Sequence, residues 1–347
     1  MTTPLVQKNS LDLLRLVAAS LVLYSHQHAL MGQTEPLFFG WTTFGGAGVT
    51  IFFFLSGMLV WSSWLRDADV RRFFMRRSLR IFPALWLVVL MTVFLLGPVF
   101  STLVLADYGS SSTSWRYLST AVLVVRHSLP GVFADNPFPA AVNGSLWTLP
   151  VEFLCYITVA ALGCVTWGSR RVLIALGLGL TVLLASFAPQ VLGLRFVPHF
   201  EMVAMFWAGV FYAGVVQSNG EDKTSNAVSD RALACGLGAL ALLGFALCGD
   251  RGLERTAMLV CAAVLVQLAL RFSAGAKLTD RLGDLSYGVY IFAFPVQQIV
   301  VHWGRGAGWG FGVSLALSLA LTGVLAFASW HLLEKQALRF KPKAKQV

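Results

Sequence analysis

Charge is scarce in this chain. Aspartate and glutamate together number 16 among 347 residues, and all four charged residue types make up only 12%. An ordinary soluble domain carries about twice that share, so a soluble globular class is excluded. Cysteine is scarce too, with five residues and no metal-type spacing, so neither a disulfide framework nor a metal site is expected. Cys155, Cys164, Cys235, Cys248 and Cys261 read as small buried hydrophobes. The sequence also lacks an internal repeat, a low-complexity linker and room for a sizeable soluble domain. No cleavable leader is expected, because the first apolar run holds Arg15 and is followed by no small-residue cleavage site.

What is abundant is apolar surface. Hydrophobic residues make up 57% of the chain, and the mean hydropathy is +0.72. Apolar runs near the ~20 residues needed to cross a hydrocarbon core recur from end to end. The expectation is an all-α, polytopic membrane bundle forming one domain over 1–347. Ten spans are expected, near 11–30, 43–64, 81–103, 145–167, 172–188, 199–217, 232–249, 256–271, 284–304 and 311–334. Cytoplasmic loops collect Lys and Arg. Ten crossings place Lys8, the Arg66–Arg80 cluster, Arg170, Arg171, Lys223, Arg231, Arg271, Lys277, Arg281 and the basic tail 335–347 on one side. The opposite loops keep Arg116, Arg126, Arg195, Arg251, Arg255 and Arg305. Counting the short apolar stretch 115–128 as a crossing would invert every later loop. It therefore reads as a re-entrant or interfacial piece of a long outer loop, 104–144, with both termini cytoplasmic.

The net charge of +10 does not indicate nucleic acid. The basic residues sit in short loops beside spans, where membrane orientation explains them, and the tail KQALRFKPKAKQV can rest against anionic lipid. The expected setting is the bilayer of a bacterial inner membrane.

The informative charges lie where topology does not require them. In LDLLRLVAASLVLYSH, Arg15 and His26 are eleven residues apart. At about 100° per residue they return to within roughly 20° of one helix face, ~16 Å apart along the axis. Ionisable groups at membrane depth usually face a protein interior or water-filled cavity and mark a functional path. Asp12 either holds the Arg15 guanidinium or faces water at the helix start.

The stretch RDADVRRFFMRRSLRIFP holds six arginines. Arg66, Arg71 and Arg72 fit an orientation signal, while Arg77 and Arg80, three apart with Arg76 beside them, share a helix face suited to bidentate grip on phosphate. That cluster fits a cytoplasmic anionic ligand such as a nucleotide-bearing cofactor. Glu152, two residues after Pro150, is a carboxylate inside an apolar span and must be paired, hydrogen-bonded or protonated. It is expected toward the outer half, level with His26, where it would orient a catalytic group or accept its proton. His26 is a candidate general base or acyl-accepting nucleophile.

The ordered set LDLLRLVAASLVLYSH, IFFFLSGMLVW, RRSLRIFPALW, SLWTLPVEFLCY, LGDLSYGVYIFAFPV and SWHLLEK resembles the acyltransferase-3 family across nearly the whole chain. The family comprises integral membrane O-acyltransferases of bacterial surface glycans. The resemblance implies a cytoplasmic acetyl-CoA or other short acyl-CoA donor. It also implies an acceptor hydroxyl on a polysaccharide or lipid-linked glycan, such as an exopolysaccharide or O-antigen. Carried over, Arg15, Arg76, Arg77 and Arg80 contact the donor, His26 matches the essential histidine, and Glu152 matches the fourth-span carboxylate. A histidine common in the family's C-terminal YxxHFP-like segment is replaced here by Ala293, leaving Gln297 and Gln298 to supply hydrogen bonds. Direct transfer with His26 as base and transfer through an acyl-imidazole both fit. Rival classes are a transporter of a glycan lipid, an acyl donor or protons, and a non-catalytic subunit of a polysaccharide export complex. No metal is expected, and the oligomeric state is open.

Overall fold

The computed structural model describes residues 9–139, 141–165, 197–221 and 252–342. The spans expected at 172–188 and 232–249, and the calls on Lys8, Arg170, Arg171, Arg195, Lys223, Arg231, Cys235, Cys248 and Arg251, lie outside the described residues, as does the tail beyond 342.

The regular secondary structure of the described residues is helical apart from a short hairpin, Leu37–Phe38 against Thr42–Thr43, and one isolated bridge. The long helices are α1 (Leu11–Leu30), α2 (Phe44–Arg66), α3 (Val70–Met91), α4 (Thr148–Val165), α5 (Val197–Glu221), α6 (Gly252–Arg271), the shorter α7 (Ala274–Leu282), α8 (Ser286–Ala307) and α9 (Phe311–Ser329). A π-turn at Thr92–Leu96 carries α3 on to Phe100, and another at Trp330–Glu334 extends α9. Five helical stretches are long and apolar enough to cross a membrane: Phe44–Arg66, Val70–Phe100, Ser145–Val165, Gly252–Arg271 and Phe311–Phe340. Helices α1, α5 and α8 fall at the other expected spans among the described residues. Large side chains such as Leu253, Val264, Val313 and Val324 stay exposed, as a lipid-facing surface requires.

Local chemistry sets the helix starts. The Thr43 side chain caps α2 by accepting from Gly46 N at 3.0 Å, and the Asp69 side chain caps α3 by accepting from Arg72 N at 2.8 Å. The third expected span is corrected here. Because α3 starts at Val70, eleven residues before the expected 81, the arginines from Arg71 to Arg80 all lie on its first turns, with Arg77 and Arg80 on a helix as their spacing led one to expect. The stretch after Phe100 forms two short helices, Leu105–Ser110 and Ser112–Arg116, and a 3-10 turn, Tyr117–Val122, all too short to cross.

Helices α2 and α5 touch backbone to backbone. A Cβ on Gly57 would strike the Phe206 carbonyl, and one on Gly209 would strike that of Phe54. Small residues at such crossings are the membrane solution to close packing. A buried polar node joins α1, α8 and α9: Gln27 Oε1 accepts from Gln297 Nε2 and from Ser318 Oγ, both at 2.9 Å.

The stretch between Asn136 and Asn143 is fastened to α8. Pro295 lacks an N–H and leaves the Ile291 carbonyl without its helical donor. Asn143 Nδ2 donates to that carbonyl at 2.9 Å. Further along, Gln298 Nε2 donates to Ala141 O at 2.7 Å, and Asn136 Nδ2 donates to Gln298 Oε1 at 2.7 Å. Gln297 and Gln298 thus supply hydrogen bonds, and these fasten the scaffold. Of the cysteines described, Cys155 is buried as expected, Cys261 is half-buried, and Cys164 is exposed near the end of α4.

Candidate active site

Three cavities follow one another through the bundle. The inner one, about 580 Å³, is lined by Arg15, Arg76, Arg77 and Arg80, together with Asp12, Glu152, Asp284 and Lys341. The outer one, about 320 Å³, is lined by His26, Glu35, Trp41, Trp147 and Tyr290, with Glu201, Glu254 and Arg255. Between them is a narrow space of about 60 Å³. Arg15, Phe52, Glu152 and Tyr287 line both it and the inner cavity, and Val49 and Tyr290 line both it and the outer cavity. Asp12 and Lys341 meet at the inner cavity, so both described ends of the chain reach the same end of the bundle.

The arginines are held in different ways. Arg15 Nη1 donates to Asp284 Oδ2 at 2.6 Å, and Arg80 Nη2 bonds to the same oxygen. Arg80 also stands over the Trp330 ring, 5.8 Å from its centroid. Arg76 is tied to Asp67 at 2.7 Å, a carboxylate that Arg72 grips as well. Those two guanidinia hold the Asp67 carboxyl well below the usual carboxylate range. Arg77 has no ion pair among the described residues. It lies against Phe73 and Tyr156, with its buried Nε unpartnered. Partial desolvation, with Arg80 and Arg77 nearby, pushes the Lys341 ammonium down to about 8.

Glu152 is not level with His26. Its Oε1 accepts from Ser56 Oγ at 2.7 Å and Tyr156 Oη at 2.6 Å, and it lines the inner and connecting cavities only. The cause is the deep start of α4. Tyr290 Oη, one turn into α8, is 2.7 Å from Thr148 Oγ1 and donates to Ser145 O at 2.8 Å. The chain therefore dips into the bundle before α4 begins, and Glu152 lies a further turn inward.

His26 lines the outer cavity with its ring edge-on to Phe294, centroids 5.2 Å apart, and its buried Nδ1 has no hydrogen-bond partner among the described residues. Next to it in sequence, Ser25 hydrogen-bonds Glu35 through Oγ. Arg15 and His26 are brought to the two ends of the cavity chain, as one shared helix face requires. The sequence reading missed Asp284, Tyr290 and Glu35. Asp284 left one signal, an acid directly before an apolar run in a chain short of acids.

Residues 8–331 match the family model described as an acyltransferase domain, that of acyltransferase-3. The chain belongs to the acyltransferase-3 family. It is an acyltransferase built as a helical membrane protein. It is 34% identical to the "O-acetyl transferase" of Shigella phage Sf6, covering 97% of this chain and 98% of that protein. It is 26% identical to "Nodulation protein 10" of Rhizobium leguminosarum bv. viciae, over 96% of this chain and 94% of the relative. To the "Exopolysaccharide production protein ExoZ" of Rhizobium meliloti it is 27% identical, over 88% and 93%. No solved structure matches the chain significantly.

Proposed function

We propose that this acyltransferase-3 member moves an acetyl group from cytoplasmic acetyl-CoA to a sugar hydroxyl of an exported or lipid-linked polysaccharide. It would act as a ten-span protein of a bacterial inner membrane with both termini cytoplasmic. The observation that carries the reading is the shared lining of the three cavities, from the arginines to His26. The names of the phage O-acetyl transferase and the exopolysaccharide production protein support the acyl group and the acceptor class.

The inner cavity has the size and charge for a nucleotide carrying phosphates. Arg77 offers a guanidinium that is in no ion pair among the described residues, and Arg15 and Arg80 line the same cavity. Glu152, Ser56 and Tyr156 form the wall along which the thiol arm runs. In the outer cavity Trp41 and Trp147 supply flat apolar faces and Glu35 supplies a hydroxyl acceptor, a combination suited to a sugar ring.

His26 takes the proton of the acceptor hydroxyl as its oxygen attacks the thioester carbonyl carbon. The new C–O bond forms, the C–S bond breaks, and the proton passes from His26 to the departing sulfur, releasing free thiol toward the inner cavity. Neither a metal nor a redox group is needed to balance this step. NMR of surface glycans from strains with and without the gene tests the reading, because it reports acyl group and acceptor together. Loss of O-acetyl signals from one sugar position is expected on deletion. Unchanged O-acetylation contradicts the proposal.

A further inference from the structure

Asp284 occupies the short link between α7 and α8. Gly283 before it has a φ of +89°, and a Cβ there would collide with the Trp330 ring, so the link is pinned where glycine alone fits. From that position Asp284 reaches the inner cavity with its side chain only 12% exposed. Ser286 Oγ donates to its Oδ1 at 2.5 Å, leaving Oδ2 to the arginines. That one oxygen bridges Arg15 Nη1 and Arg80 Nη2, from two helices far apart in sequence. Two guanidinia converging on a single anionic oxygen is an arrangement that a phosphate oxygen can also accept, since Arg pairs strongly with carboxylate and phosphate alike.

We infer that Asp284 is a built-in anion that occupies the phosphate position between Arg15 and Arg80 and is displaced when the donor binds. This rests on the reading of the inner cavity as the acyl-CoA site. Two guanidinia brought together repel one another, and Asp284 between them, with Asp12 3.8 Å from Arg15 Nη1, supplies the negative charge that keeps both in place. The same carboxylate then competes with the incoming phosphate. Apparent affinity is lowered by the fraction of protein in which the arginines remain paired, as for any ligand that must displace a competing state. Asp284 thereby sets how tightly donor and spent coenzyme A are held. Arg77, which has no ion pair among the described residues, is left to make the first contact.

The test is titration calorimetry of coenzyme A with purified protein in detergent, comparing the unmodified protein with Asp284→Asn. The amide keeps an oxygen for Ser286 and removes the competing charge. The expectation is about tenfold tighter binding of coenzyme A, together with lower thermal stability of the ligand-free variant. Affinity that is unchanged or weaker overturns the inference, since a carboxylate that only scaffolds the arginines would lose binding when removed. Should Asp284→Asn fail to fold, Arg80→Gln alone is compared with Arg80→Gln/Asp284→Asn, which relieves the cation repulsion. The double variant is expected to bind more tightly than the single, and equal or weaker binding again overturns the inference. Failure of the unmodified protein to bind coenzyme A contradicts the reading of the cavity itself, and so separates the two claims.

Discussion

Arg15 and Glu152 line the same two cavities, the inner one and the connecting one, although they come from the first helix and from α4. Glu152 therefore lies one cavity away from the space that His26 lines. Glu152→Gln keeps an oxygen to accept from Ser56 and Tyr156, so the helix contacts survive. In steady-state kinetics, removing its negative charge from the cavity read as the donor site should leave KM for acetyl-CoA unchanged or lowered, with the pH profile of kcat unchanged. A displaced profile would return Glu152 to proton transfer.

Arg77 makes no ion pair among the described residues, so removing its charge acts chiefly on ligand binding. A hydrogen bond to a charged group contributes roughly 1.5–3 kcal/mol, so Arg77→Gln should raise KM for acetyl-CoA by about 10- to 100-fold. The melting temperature should change little. A large loss of stability with KM preserved would make Arg77 a packing residue.

Lys341 carries its charge below pH about 8 and loses it above. The ordinary lysine value is higher, so this loss falls within a usable assay range. The positive field of the inner cavity weakens as pH rises through that value, and KM for the anionic donor should climb. Lys341→Met should abolish the climb while leaving the acceptor KM unchanged. A profile identical in both proteins would remove Lys341 from the site.

Asn143 satisfies the carbonyl that Pro295 leaves open, so Asn143→Ala strands a buried acceptor. The cost should be about 1–3 kcal/mol, read as a lowered midpoint in thermal unfolding. Because the same loop sets the depth at which α4 begins, activity should fall with stability. An unchanged midpoint would show that the loop is fastened elsewhere.

The sequence carried some of this arrangement and concealed the rest for physical reasons. The alignment of Arg15 with His26 follows from helix periodicity alone, and the cluster at Arg77 and Arg80 follows from residue type and spacing. The depth of Glu152 does not. Hydropathy assumes that a span starts at the membrane surface, whereas α4 starts where Ser145 and Thr148 meet Tyr290, inside the bundle. Asp284 was hidden because its partners lie on α1 and α3, a pairing that only the tertiary fold creates. The third helix starts early because Asp69 caps it, a local signal that the apolar pattern outweighed.

The central claim is that the cavity chain carries an acetyl group from the arginine end to His26. It is tested most directly by labelled acetyl-CoA supplied to reconstituted protein with a glycan acceptor, comparing the unmodified chain with His26→Ala. Loss of a general base costs about 100- to 10,000-fold in turnover. The account predicts a loss of that order in labelled glycan, with coenzyme A binding and thermal stability retained. Normal glycan labelling by His26→Ala would contradict it.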